Sequence, residues 1–167
     1  DAELAMENMV DQGFILTSPG DPYIYRFKHA LIQDVAYQSL LRSTRQQNHS
    51  RIAEVITESF PDLAKQHPEL MAHHLSGAER YAESAQMWLK AGLEAAGRSA
   101  VHETVEHLTR GLIDLQQLPE EQDCEPLELQ LQTSLAPAQM AAFGWAAPIV
   151  ESTCLRAIQL ADRMNIE

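Results

Sequence analysis

The stretch YRFKHALIQDVAYQSLL, residues 25–41, contains the transition that decides the fold of the first part of the chain. Before Lys28 the residues alternate as in a β-strand, and from Ala30 onward apolar residues recur every four positions. Since the apolar positions occupy most sides of the expected helix, we predict that it is well buried. His29 lies at the joint, where it either caps this helix or reaches a group outside the chain.

A short helix and a β-hairpin are expected before this joint. Residues 2–12 have near-helical apolar spacing, and Gly13 follows where such a helix would end. Two strand-like runs then follow, Phe14–Thr17 and Tyr23–Phe27, separated by the turn-forming residues SPGDP. Helix, hairpin and helix in this order resemble the end of a winged-helix domain.

The following segment predicts one more helix and then a boundary. Ser43 and Gln46 have the spacing of a capping box at a helix start, and Pro61 is expected to stop the helix. The segment PDLAKQHPE contains two prolines, so we predict a linker over residues 61–68. The expected domains are therefore a winged-helix-like region over 1–60 and a second region over 69–167.

The second region is predicted to be entirely helical. Helices are expected from about Glu69, over about 80–97 and over about 101–118. Farther on, Pro137 falls inside a helical pattern and should kink or break it, whereas Pro148 suits the start of a helix. The fold class expected from the whole chain is mainly α, with consecutive helices forming α-hairpins.

One pair of these helices is similar to a tetratricopeptide repeat, a helix pair of about 34 residues. Ala95 stands where that pattern prefers a large residue, and Thr104 stands where it prefers alanine. About two and a half repeats are expected over 69–167, incomplete at the C-terminus, and such a stack usually binds a protein or peptide partner. The residues expected to pack the repeat are Trp88, Ala91, Gly92, Leu108 and Gly111.

Composition and charge exclude several classes of protein. The chain has 12 Lys plus Arg against 24 Asp plus Glu, a formal net charge of -12, which argues against nucleic acid as a partner. No run of about 18 apolar residues occurs, so no membrane partner is expected. The two cysteines form no disulfide framework, which favours a cytoplasmic location. Since the chain begins without Met and ends in a helical pattern, we expect a segment of a longer polypeptide.

Catalytic and metal-binding patterns are not found in the sequence. It contains neither the G-x-x-x-x-G-K-[ST] phosphate loop nor the G-x-S-x-G nucleophile motif. The neighbours His73 and His74 should point to different sides of a helix, and His102 and His107 are not spaced to share a face. We therefore expect that this segment is not an enzyme by itself and that it holds no cofactor and no metal.

The stretches YRFKHALIQDVAYQSLL, RSTRQQNHSRIAEVI, PELMAHHLSGAERYAESAQMWLKAG and RSAVHETVEHLTRGLIDLQQLP resemble bacterial STAND-type P-loop signalling ATPases. The likeness is to the region after the ATPase module, in chains that often begin with a class III adenylate or guanylate cyclase domain. It implies that the winged helix closes an upstream nucleotide-binding domain that binds ADP or ATP. It also implies that the tetratricopeptide-like repeats act as a sensor or scaffold.

The resemblance also implies a role for His29. The segment Lys28, His29 and Ala30 is similar to the Met-His-Asp motif of apoptotic and plant-resistance ATPases, whose histidine contacts the ADP phosphate, although the two neighbours differ here. An imidazole at a helix start can hydrogen-bond a phosphate. The function implied is therefore a non-catalytic regulatory segment of a signal-transduction ATPase. The alternatives are a winged-helix transcription activator segment and a free-standing helical adaptor.

Overall fold

A computed structural model describes residues 2–18, 21–119 and 124–166 of the chain. These residues are mainly helical, as the sequence predicts, with one small antiparallel sheet. The elements in chain order are α1 (Ala2–Asp11), β1 (Ile15–Ser18), β2 (Asp21–Phe27), α2 (Ala30–Ser39), α3 (Arg42–Ser59), α4 (Pro61–Gln66), α5 (Pro68–Gly77), α6 (Tyr81–Gly97), α7 (Val101–Leu115), α8 (Glu125–Phe143) and α9 (Pro148–Arg163).

The chain divides into two compact units, Asp1–Arg45 and Gln46–Glu167. The boundary that we expected at residues 61–68 lies within the second unit, where α4 and the start of α5 occupy those positions. Pro61 and Pro68 each stand in the first turn of a helix, where the missing N–H is not needed. Two prolines that suggested an extended linker therefore begin two helices.

The first unit contains α1, the hairpin and α2. Strand β1 pairs antiparallel with β2, with Ile15 opposite Phe27 and Thr17 opposite Tyr25, so the predicted hairpin is confirmed. Gly13 has a φ of 71°, a left-handed conformation that favours glycine, and it lies where α1 ends. The predicted turn SPGDP includes residues 19 and 20, which lie outside the described residues.

Helix α2 forms where the apolar spacing predicts it, but the prediction that it is well buried is wrong. None of its residues is buried, and the side chains of Leu31 and Val35 are 73% and 61% exposed. Periodicity fixes the helical conformation, whereas burial requires a second surface that covers the apolar side. Within the first unit α2 packs on β2, which leaves Leu31 and Val35 exposed to solvent.

In the second unit each helix from α5 onward packs against the next helix in the chain. One apolar cluster joins α3 to α5, and another joins α6, α7 and α8. The turn between α5 and α6 contains Glu79 and the turn between α6 and α7 contains Ser99, both with φ near 60°. A left-handed residue just after a helix end closes the last turn and lets the chain reverse within three residues.

In the second unit, the predicted cap of α3 differs from the structure, and of the predicted kink or break in α8 the break is not found. Helix α3 begins at Arg42, so Ser43 lies inside its first turn and is not the capping residue. Helix α8 is not broken at Pro137 and continues to Phe143. A proline inside a helix removes one hydrogen bond, and α8 retains its contacts with α7 and α9 on either side.

Candidate functional site

His29 is the N-cap residue of α2, and it caps the helix through its backbone. Its φ and ψ are -133° and 133°, and its carbonyl oxygen accepts hydrogen bonds from the N–H groups of Ile32 and Gln33 at 3.0 and 3.3 Å. The imidazole makes no capping hydrogen bond, and the residue is exposed, as is the neighbouring Lys28. The side chain of His29 is therefore accessible at the start of the helix.

The five predicted packing residues of the repeat are all buried between α6 and its neighbours. A Cβ atom added to Gly92 would lie 2.5 Å from Cδ2 of Leu108, and one added to Gly111 would lie 2.9 Å from Cδ2 of Leu131. Real Cβ atoms do not approach other atoms so closely, so both glycines allow a close crossing of two helices. Gly92 thus sets the distance between α6 and α7, and Gly111 the distance between α7 and α8.

The two departures from the repeat pattern, Ala95 and Thr104, are buried as well. Thr104 sits on α7 and its hydroxyl donates to the carbonyl oxygen of Ala100, 3.0 Å away, one turn earlier in the chain. A buried hydroxyl costs little when it has such a partner. Threonine is therefore accommodated at a position where the repeat pattern prefers alanine.

A buried carboxylate at Asp114 connects three helices, and the sequence did not reveal it. Its Oδ1 accepts from the hydroxyl of Ser76 on α5 at 2.9 Å, and its Oδ2 accepts from the indole N–H of Trp88 on α6 at 3.2 Å. The Ser84 hydroxyl lies 2.6 Å from Oδ2 and 2.8 Å from the carbonyl oxygen of Ala72, so one proton serves two acceptors. Ser84 and Trp88 are four residues apart on one helix, a spacing that places both toward α7.

The indole of Trp88 also contacts two side chains of α7. The ring of His107 stacks on it with centroids 5.4 Å apart, and the guanidinium carbon of Arg110 lies 5.1 Å from the centroid of the indole. Arg110 also pairs with Glu106, one turn earlier on α7, at 2.7 Å. Together with the hydrogen bond to Asp114, these contacts restrict the orientation of the indole.

A shallow groove of about 360 Å³ lies along the exposed side of α6. It is mostly apolar because Leu89 and Leu93 line it, and the side chain of Leu93 is 52% exposed. Lys90 and Glu94 border the groove and approach each other to 3.8 Å. The groove can accept an apolar side chain of a peptide, with a charged group of each sign at its edge.

Three imidazoles meet where α3 packs on α5. The Nδ1 atoms of His49 and His74 are 3.0 Å apart, and the ring centroid of His73 lies 5.4 and 5.3 Å from theirs. Adjacency of His73 and His74 suggested two different sides of the helix, but both rings reach the ring of His49. Burial, assisted by the neighbouring charge of His73, lowers the pKa of His49 and lowers the pKa of His74 to about 4.

Two kinds of site are not found in the described part of the chain. Across residues 2–18, 21–119 and 124–166, no three His, Cys, Asp or Glu side chains are arranged to hold a metal ion. Over the same ranges, no helix has the length and apolar character needed to cross a membrane.

Comparison with known proteins gives one distant relative. The chain is 27% identical over 161 residues to "Uncharacterized protein R02095" of Rhizobium meliloti (strain 1021), an alignment that covers 95% of this chain. The same alignment covers 16% of the relative, so the chain spans about a sixth of the length of that protein. No protein-family description matches the chain. No solved structure gives a significant match.

Proposed function

We propose that this chain is a non-catalytic regulatory and protein-interaction segment of a larger nucleotide-regulated signal-transduction ATPase. The observation that carries the proposal is the order of packing from α5 to α9, in which each helix contacts the next and small residues allow the close crossings. A stack of this kind presents a long surface to a partner and has no need of a catalytic centre. The helices α5 to α9 would act as tetratricopeptide-like repeats.

The link to a nucleotide rests on the first unit and on the resemblance of residues 25–41 to STAND-type ATPases. The elements α1, β1, β2 and α2 would form the end of a winged helix, and this winged helix would close an upstream nucleotide-binding domain. The exposed imidazole of His29 fits a contact with a phosphate, because its N–H can donate and it stands at the start of α2. ADP or ATP would be held mainly by the upstream domain, in which hydrolysis would also take place.

The partner would bind to the repeat stack, where the groove along α6 is one apolar surface. Leu89 and Leu93 offer an apolar floor, and the pair of Lys90 and Glu94 can orient the main chain or a charged residue of a peptide. The interface would be modest in size, which suits a partner that binds and leaves during signalling. The distant relative extends far beyond the aligned region, which is consistent with a segment that works inside a larger protein.

Two experiments test the proposal, one on the purified segment and one on the longer protein. The purified segment should neither hydrolyse ATP nor form cyclic AMP, because it lacks the phosphate loop that cradles a nucleotide. Turnover that persists after contaminating ATPases are removed would contradict the non-catalytic role. In the longer protein, loss of the His29 side chain should accelerate ADP release.

A further inference from the structure

Helix α3 is held to α5 by a small set of contacts that includes two facing imidazoles. Ala53 and Ile56 pack on Met71 and Leu75 in one apolar cluster. The amide of Gln46 donates to the carbonyl oxygen of Ala78 at 3.3 Å. A further link is the pair of His49 and His74, whose Nδ1 atoms are 3.0 Å apart.

The geometry of this pair depends on its protonation. A hydrogen bond between two ring nitrogens requires a proton on one nitrogen and a lone pair on the other. When both rings are protonated, two N–H groups and two positive charges would face each other at this distance, and the contact is lost. The ring of His49 cannot retreat within the packed helices, because it lies so close to Gly77 that a Cβ atom added to this glycine would be only 2.6 Å from the ring.

A third imidazole and several carboxylates of the adjoining elements bear on the charge of this pair. The third imidazole, His73 on α5, opposes protonation of both rings. Among these carboxylates, Glu69 pairs with His67, Glu83 pairs with Arg80, and Glu54 accepts from Ser50. Glu58 is exposed, as is the cation of Arg51. A proton on each ring would therefore place two positive charges against each other between α3 and α5, where the Nδ1 atoms are 3.0 Å apart.

We infer that His49 and His74 form a pH-sensitive latch that holds α3 against α5 while at least one ring is neutral and releases it when both are protonated. Helix α3 is also the helix in which the division between the two units of the chain falls. Opening of the latch would therefore act on the segment that connects them. This role goes beyond the proposed function and does not depend on a nucleotide or on a partner.

The sign of the pH dependence follows from linkage. The folded-state pKa values of His49 and His74 lie below the ordinary value of 6.5, so the closed state binds fewer protons than the open state. The latch is therefore intact above pH 6.5 and weakens as the pH falls toward about 4, the pKa of His74. Each imidazole that gains a proton on opening raises the opening constant by about tenfold per pH unit in this window.

Hydrogen–deuterium exchange of the whole chain at pH 7.5 and 5.5, corrected for intrinsic exchange, tests the latch. Relative to α7, the opening constant of α3 residues 46–59 should rise by about 10- to 100-fold at the lower pH. His74→Gln keeps a hydrogen-bond donor but cannot gain a charge, so its rise should be at most about tenfold. The control His102→Gln changes an exposed histidine of α7 and should behave as the wild type.

A rise of the same size in the wild type and in His74→Gln would overturn the latch. A second measurement needs no variant and applies even if His74→Gln fails to fold. The NMR titration of the Cε1 resonance of His74 in the wild-type chain should show a midpoint well below 6.5. A midpoint at 6.5 would equally overturn the latch, because the closed state would then bind protons as readily as the open state.

Discussion

The indole N–H of Trp88 donates a hydrogen bond to the buried carboxylate of Asp114, with Nε1 and Oδ2 3.2 Å apart. Ser76 and Ser84 supply two further donors, so a single carboxylate connects α5, α6 and α7. A buried charge is tolerated when several donors surround it, and removal of the charge leaves those donors unpaired. The orientation of Trp88, and with it the packing of α5, α6 and α7, depends on a residue outside the predicted packing set.

Asp114→Ala should lower the free energy of unfolding by about 2–4 kcal/mol, because Trp88 and Ser76 lose their acceptor and Ser84 loses one of its two. The change in the free energy of unfolding is measured by urea unfolding, with the fluorescence of the chain as the signal. Asp162→Ala is the matched control, since this aspartate of α9 is exposed, and it should change the free energy by less than about 0.5 kcal/mol. Equal effects of the two substitutions would show that the network around Trp88 does not stabilise the fold.

Gly92→Ala should destabilise the chain by about 1–3 kcal/mol, because the added methyl group overlaps the side chain of Leu108. The midpoint of thermal or urea unfolding measures the effect. Gly97→Ala is the control, because a Cβ at that position of α6 meets no atom within 4 Å. Since alanine is the better helix former, Gly97→Ala should be neutral or stabilising by up to about 1 kcal/mol. Gly92→Ala that is as stable as Gly97→Ala would exclude a close crossing of α6 and α7.

The purified chain should not bind random duplex DNA at physiological salt. A DNA-binding protein neutralises phosphates with its cations, whereas this chain has a net charge of -12 and would repel the phosphate backbone. An electrophoretic mobility assay at micromolar protein, repeated at two salt concentrations, measures this. A salt-sensitive shift would favour the alternative in which the first unit is a winged-helix segment of a transcription activator.

The helices and strands could be predicted from the sequence more accurately than their burial and the boundary between the two units. Helices α6 and α7, the hairpin and the start of α9 at Pro148 agree with the patterns, because local spacing and proline placement act within a few residues. The burial of α2 was wrong, because an apolar helix is buried only where another surface covers it. The expected linker at 61–68 is largely helix, because a proline in a first turn initiates a helix as readily as it interrupts one.

The polar contacts between helices could not be predicted from spacing. Asp114 is bonded to residues 26 to 38 positions away, and His49 meets a histidine 25 positions away. Such pairs are set by how the helices cross, which depends on glycines such as Gly92 and on the turns between helices. The five packing residues were predicted from the resemblance to the tetratricopeptide pattern, whereas Asp114 and the two serines that it binds lie outside that prediction.

The central claim is that His29 senses a nucleotide in the longer protein, and the rate of ADP release tests it most directly. The rate is measured on that longer protein as wild type, as His29→Ala and as Lys28→Ala. Both side chains are exposed in the first unit, and only the histidine is expected to reach the phosphate, which makes Lys28→Ala the matched control. Loss of one hydrogen bond to a charged phosphate, about 1.5–3 kcal/mol, predicts release about 10- to 150-fold faster in His29→Ala and unchanged in Lys28→Ala. Release from His29→Ala at the wild-type rate would contradict the claim and leave His29 as the backbone cap of α2.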